Sequence, residues 1–204
     1  QHVRDLLRPG GKHAPVFTRI NPPNSSFIAS HLTISISPLS STSPSLHTQA
    51  KYAVDPYMHA QEDLNNKMRS ILVDWLVEVH HKFKLYPATL WLTVNVIDRF
   101  LAKVPIKRAR LQLVGISAFF IACKFEEVYP PEAKDFVHIT DNAYTRQEML
   151  AMESDILNAL NYEILVPTGF NFLSRYLNCI RASENTRLLA CYYAERNLQV
   201  RLEV

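Results

Sequence analysis

Beyond Pro56, every proline in this 204-residue chain falls where an apolar pattern of helical spacing breaks off. Apolar residues recur three to four positions apart, and β-branched runs of period two are missing. Pro87, Pro105, the Pro130-Pro131 pair and Pro167 stand between the periodic stretches. Proline removes a backbone donor and clashes inside a helix, so its positions mark helix boundaries. The pattern predicts five helices over approximately 65–83, 88–103, 109–128, 132–139 and 146–161, then two more over about 168–179 and 183–200. Thr145-Arg146-Gln147-Glu148 has the reciprocal capping spacing that starts the fifth. The fold class is all-α.

The first 50 residues are of another kind. Residues 20–50 contain no Lys, Arg, Asp or Glu, and 25–48 are rich in Ser and Thr, with Pro38 and Pro44 among them. Too little large apolar surface is present to offset ordering entropy, so 1–50 reads as a disordered Ser/Pro-rich tail. Ser37-Pro38 and Ser43-Pro44 fit proline-directed phosphorylation, at a frequency that chance supplies in such a stretch. The chain carries 22 basic and 19 acidic residues, and Arg4, Asp5, Arg8, Lys12 and Arg19 account for the whole net charge of +3. From Lys51 onward the charges cancel, which leaves no domain-wide positive field for nucleic acid or anionic lipid. Four glycines argue against a glycine-cradled nucleotide site. Cys123, Cys179 and Cys191 are odd in number and form no C-x-x-C pair, as expected of buried thiols in a reducing compartment with no disulfide or metal framework. The longest uncharged apolar stretch, around Val114 to Cys123, is about half of the roughly 20 residues needed to cross a bilayer. With no apolar leader at the N-terminus, the expectation is a soluble intracellular protein, and the opening glutamine suggests a fragment.

On a wheel of 100° per residue with Ser70 at zero, Ser70, Asp74 and Glu78 of the first helix occupy a strip about 80° wide. Met68, Ile71, Leu72, Trp75 and Val79 fall between about 100° and 200°, and Val73, Leu76 and Val77 between about 240° and 340°. Two apolar faces need two partners, either both inside the domain or one of them an open docking groove with Trp75 as floor and Glu78 at its margin. Arg69, at about 260°, lies in an apolar sector and needs a carboxylate there. Asp98 is a similar misfit in the second helix, so the two are expected to pair. The third helix, uncharged from Leu111 to Cys123 with small Gly115, Ala118 and Ala122, suits a central axle. It ends in Lys124-Phe125-Glu126-Glu127-Val128-Tyr129-Pro130-Pro131-Glu132. Lys124 there is either a simple helix cap or, with a carboxylate from a neighbouring helix, a clamp on a partner's backbone flanked by Phe125 and Tyr129.

These residues carry a resemblance. Met68-Arg69-Ser70-Ile71-Leu72-Val73-Asp74-Trp75-Leu76-Val77-Glu78-Val79 closely resembles the signature of the cyclin box. Ile97-Asp98-Arg99-Phe100-Leu101, Leu111-Gln112-Leu113-Val114-Gly115 and the Lys124 to Glu132 block resemble its later blocks, in the right order. The likeness runs from about residue 57 to 200, and His80-His81-Lys82-Phe83-Lys84-Leu85 looks more like the mitotic B-type than the A-type. The resemblance implies a helical lead-in over 51–64, a five-helix cyclin box over 65–166 and an incomplete second cyclin box over 167–204.

It further implies a regulatory subunit with no catalytic centre, metal or cofactor of its own. Such a subunit binds a cyclin-dependent protein kinase, turns the kinase's C helix inward, and controls the G2/M transition from nucleus and cytoplasm. On the family's pattern Lys124 and Glu153 grip kinase backbone, while Ile121, Phe125, Glu127, Val128, Leu157 and Tyr162 line the contact. Met68, Ile71, Leu72, Trp75, Glu78 and Gln112 match the patch that docks arginine-x-leucine motifs of substrates and inhibitors. Arg69 and Asp98 match the family's internal ion pair.

Two departures and two rivals complete the reading. Only two helices follow Val166, so Leu188, Leu189, Tyr192 and Tyr193 are expected to lack cover. An inactive truncated cyclin is therefore one alternative. Arg4-Asp5-Leu6-Leu7 has the R-x-x-L core of a degradation box, but the same pattern recurs at residues 69–72, 108–111 and 110–113 inside expected helices. The other alternative is a cyclin-fold transcription factor contacting nucleic acid through Lys103, Lys107, Arg108 and Arg110, against which stand the balanced charge and a plain solvated loop. An enzyme is not expected, because His80 and His81 point to different helix faces, as surface or interface residues do, and no nucleophile motif is present.

Overall fold

The computed structural model describes residues 51–199. The tail over 1–50, its two Ser-Pro pairs and its R-x-x-L stretch lie outside the described residues. Seven α-helices and no strand occur among the described residues: α1 Asn66–Phe83, α2 Pro87–Leu101, α3 Arg108–Glu126, α4 Ala133–Ile139, α5 Arg146–Ala159, α6 Gly169–Cys179 and α7 Glu184–Gln199. The protein is all-α.

Local chemistry sets most boundaries. Asn65 Oδ1 accepts from Met68 N at 3.0 Å to start α1, and Lys84 in the left-handed region ends it. Thr145 Oγ1 accepts from Glu148 N at 3.2 Å while Glu148 Oε2 accepts from Thr145 N at 2.8 Å, which is the reciprocal cap read from the sequence. Thr168 and Asn171 do the same for α6. α2 differs: Tyr86 at its N-cap offers no side-chain cap, and Pro87 follows at once.

α3 is the axle. Every residue from Leu111 to Cys123 is buried, and α1, α2, α4 and α5 all pack against it. A Cβ at position 115 would stand 2.7 Å from Leu72 Cδ1, so glycine there is what lets α1 approach. α4 is held through Phe136, its one buried residue. That ring meets Phe83, Phe119 and Phe120 edge-on, with centroids 5.4, 6.1 and 5.3 Å away.

Of the stretch 51–64, expected to lead in as helix, Lys51 is helical and residues 52–64 hold one 3-10 turn, Met58–Ala60. Side chains fix this segment instead of helix propagation. The Gln61 amide donates to the carbonyls of Leu101 at 2.6 Å and Val104 at 2.8 Å and accepts from Ile106 N at 2.9 Å. The buried amide thereby spans the α2–α3 loop with its hydrogen bonds satisfied.

α6 and α7 form a hairpin clipped by Arg187, which donates to Ala182 O, Asn178 Oδ1 and Leu177 O. α7 then lies along the polar strip of α1. Ser70 Oγ donates to Gln199 O at 2.8 Å, Gln199 Nε2 donates to Asp74 Oδ1 at 2.7 Å, and His81 faces Glu195 at 3.5 Å. α7 buries none of its residues fully, and Leu189, Tyr192 and Tyr193 are exposed, while Leu188 is half-buried. α1 therefore meets a neighbour on its polar strip as well as on its apolar faces.

Candidate partner-binding site

The last turn of α3 and the middle of α5 meet at the surface through an ion pair. Lys124 Nζ ion-pairs with Glu153 Oε1 across the two helices, and the same nitrogen lies 4.3 Å from the centroid of the Phe120 ring. The Lys124 side chain is 43% exposed and that of Glu153 10%, so the pair sits at the rim, with the lysine reachable from outside. Next to Lys124 in the chain, Phe125, Val128 and Tyr129 are exposed, and after α5 so are Tyr162 and Leu165. Ile121 is enclosed, and Leu157 is partly buried against the core. Tyr162 follows Asn161, and both residues hold left-handed backbone, with φ of 58° and 52°.

Glu127 is bound within the molecule. Its Oε1 accepts from Tyr86 N at 2.8 Å and from the Thr89 hydroxyl, both at the start of α2. α3 therefore ends at Glu126, two residues before the expected boundary, with Glu127 extended as its C-cap.

The second candidate surface runs along α1. Met68, Ile71 and Trp75 are half-buried against the core and Glu78 is exposed. Leu72 is wholly enclosed against Gly115, and Gln112 is 4% exposed. These two are buried beneath that face rather than on it. The Gln112 Oε1 has no hydrogen-bond partner among the described residues.

The structure brings Arg69 and Asp98 together. Nε donates to Oδ1 at 2.7 Å and Nη2 to Oδ2 at 2.8 Å, a bidentate pair. Tyr57 donates its hydroxyl to the same carboxylate at 2.7 Å, and Arg69 Nη1 donates to Leu198 O at 3.0 Å. The buried guanidinium thus joins α1 to α2 and α7.

His80 corrects the expectation of a surface or interface histidine. It is 5% exposed, its Nε2 lies 2.9 Å from Tyr86 O, and its ring is stacked on Phe119. At about 280° on the wheel it falls inside the apolar sector of Leu76 and Val77, which turns it inward. Burial pulls its pKa down to about 4 from the usual 6.5. A histidine that must stay neutral to remain buried contributes stability above its unfolded pKa, and that contribution is lost as pH falls from about 6.5 toward the folded value. Urea unfolding of the wild type is expected to lose about 2–3 kcal/mol between about pH 7 and 4.5 from this group. His80→Gln is expected to flatten that part of the profile, and an unchanged acid slope in the variant would show the source to be elsewhere. His81 does sit at an interface, where Glu195 raises its pKa.

Of the basic cluster after α2, two members are engaged locally. Lys103 donates to Ala159 O at 2.9 Å, at the end of α5, and Arg108 pairs with Asp63 at 2.8 Å. Among the described residues no group of three His, Cys, Asp or Glu side chains is placed to hold a metal ion, and no helix is long and apolar enough to cross a membrane.

Residues 43–165 match the family described as "Cyclin, N-terminal domain". The chain belongs to the cyclin family. Its similarity is to B-type members. It is 51% identical over 129 residues to "Cyclin-B1-1" of Oryza sativa subsp. japonica, a stretch that covers 63% of this chain and 29% of that one. It is 50% identical over 142 residues to "G2/mitotic-specific cyclin-2" of Medicago sativa, covering 70% and 43%, and 48% identical over 146 residues to "Cyclin-B1-4" of Arabidopsis thaliana, covering 71% and 38%. The chain thus spans less than half the length of these relatives. The X-ray structure of a viral cyclin from herpesvirus saimiri shares the fold, with a TM-score of 0.64 at 22% identity over 76% of this chain and 69% of that one. α1 to α5 fall within the family match, which ends at residue 165, before α6.

Sequence reasoning did not single out Leu165, which is exposed three residues after Tyr162. The signal was present in an alternation after α5: Ile164 and Val166 are buried, and Leu165 between them is 79% exposed. Glu195, Leu198 and Gln199 were also missed as partners of α1.

Proposed function

We propose that this cyclin is the regulatory subunit of a cyclin-dependent protein kinase. It turns the kinase's C helix inward, completes the kinase's active site, and acts at the G2/M transition in nucleus and cytoplasm. The observation that carries the reading is the Lys124–Glu153 pair at the surface, followed directly in the chain by the exposed Phe125, Val128 and Tyr129. Exposed aromatic and aliphatic anchors around a polar pair supply desolvated area together with directional contacts, as interface centres do. All chemistry belongs to the kinase. A rigid surface that fits only the inward state of the kinase helix shifts the kinase equilibrium by its differential affinity for that state.

The groove of Met68, Ile71, Trp75 and Glu78, underlain by Leu72 and Gln112, is the proposed dock for arginine-x-leucine motifs of substrates and inhibitors. Glu78 supplies a carboxylate for the arginine and the apolar floor a seat for the leucine. Nucleic acid and membranes have no part in this reading.

The test is co-purification of the chain with a panel of cyclin-dependent kinases, followed by phosphorylation of paired peptides with and without the motif. Retention of at least one kinase, appearance of activity and faster turnover of the motif-bearing peptide are expected. Failure to retain or activate any kinase overturns the first proposal, and equal rates for the two peptides overturn the groove.

A further inference from the structure

α2 begins without a cap of its own. Tyr86 at its N-cap position has no side-chain oxygen that can reach back to the first-turn amides, and Pro87 contributes no donor. The Thr89 amide closes on Tyr86 O at 3.0 Å, and a carboxylate 41 residues further along the chain engages the N-cap residue's own N–H and the first-turn hydroxyl instead. Glu127 Oε1 takes the Tyr86 N–H at 2.8 Å and the hydroxyl proton of Thr89, which is itself wholly buried. A carboxylate at this end of a helix is also favoured by the backbone dipoles. Glu127 is at the same time the C-cap of α3, with extended backbone and its N–H donated to Cys123 O at 2.9 Å. One side chain therefore fixes where α3 stops, how the chain leaves it, and how α2 starts.

The flanking residues give this a consequence. Phe125 is 47% exposed, Val128 73% and Tyr129 91%, so little packing of their own holds them in place. We propose that Glu127 is a positioning residue: by tying the end of α3 to the start of α2, it sets the shape of the 125–131 edge that a kinase meets, and it does not itself touch the kinase. This inference rests on the proposed kinase-binding function and departs from the family-based expectation that Glu127 lines the contact.

Two readouts test it on the full chain. The first is amide hydrogen exchange of 125–131 in the free protein. Glu127→Ala is expected to speed exchange there about tenfold, Thr89→Val by a smaller factor, and Glu127→Gln, whose amide oxygen still accepts both bonds, hardly at all. The second is kinase affinity by titration. Glu127→Ala is expected to weaken it about tenfold, Glu127→Gln to restore it, and the double variant Thr89→Val with Glu127→Ala to be no worse than Glu127→Ala alone, because both single changes break one tether. Unchanged exchange in Glu127→Ala overturns the inference. So does an affinity loss that Gln fails to restore, or one that adds to the Thr89→Val loss, since either result marks a direct contact. If the wild type binds no kinase, the proposed function fails, and the exchange arm still decides whether Glu127 shapes the edge.

Discussion

Replacing Lys124 and Glu153 together by alanine is expected to abolish kinase activation while the helical box stays folded. The choice of a double variant follows from the geometry. Lys124→Ala alone would leave the Glu153 carboxylate, with 10% of its side chain exposed, short of its cationic partner. Such an orphaned group costs about 1–3 kcal/mol, so a lost activity could then be mistaken for a lost fold. Removing both members leaves no uncompensated charge, and the pair contributes little net stability to begin with, because one partner is largely solvated. Thermal unfolding is expected to shift by only a few degrees, whereas the phosphorylation rate with the cognate kinase should fall by about 100-fold or more. A folded double variant that activates normally would overturn the clamp.

Arg69→Ala should do the opposite, removing the fold rather than the function. The guanidinium is buried, donates twice to Asp98 and once to Leu198 O, and shares Asp98 with the Tyr57 hydroxyl. Truncation strands a carboxylate that is 16% exposed. Breaking one side of a buried ion pair costs about 3–5 kcal/mol, a large fraction of the stability of a domain this size. Urea unfolding monitored by circular dichroism measures it directly. Arg69→Met combined with Asp98→Leu should recover most of the loss, since a well-packed apolar pair of similar volume removes both desolvation penalties. A cost below about 1 kcal/mol for Arg69→Ala would mean that the pair is solvated and the junction of α1, α2 and α7 is held otherwise.

Both variants concern residues that the sequence alone had picked out. Arg69 betrayed itself by standing at about 260° in an apolar sector, where a charge needs a partner. Helix existence was legible for a similar reason: Pro87, Pro105, Pro130, Pro131 and Pro167 are local punctuation, and the Thr145–Glu148 cap is a local device. What stayed hidden depends on contacts far apart in the chain. α3 stops at Glu126 because the next side chain turns to α2, and nothing within the 124–132 block announces that its acceptor is needed at Tyr86. The lead-in over 51–64 is held by Gln61 on loop carbonyls, which periodicity does not report. The same holds for α7, whose seat on α1 is polar and leaves no apolar stripe to read. His80 is a different miss. At about 280° it shares the sector of Leu76 and Val77, so its position on the helix rather than its residue type sets its burial. For the candidate site, the exposed members were legible as a pattern, while the division between Phe125 and Val128 on the surface and Ile121, Leu72 and Gln112 beneath it required the packing.

Asn161 and Tyr162 place two successive side-chain-bearing residues in left-handed backbone, each at an expense of about 1–2 kcal/mol. The chain can hold them there because Leu160, Ile164 and Val166 on either side are sunk in the core and deny the segment an easier path. The backbone that carries the exposed Tyr162 ring is thus a bent spring clamped at both ends. A backbone already bent into its final path has less main-chain freedom left to lose than a loose loop would have, whatever later meets this surface.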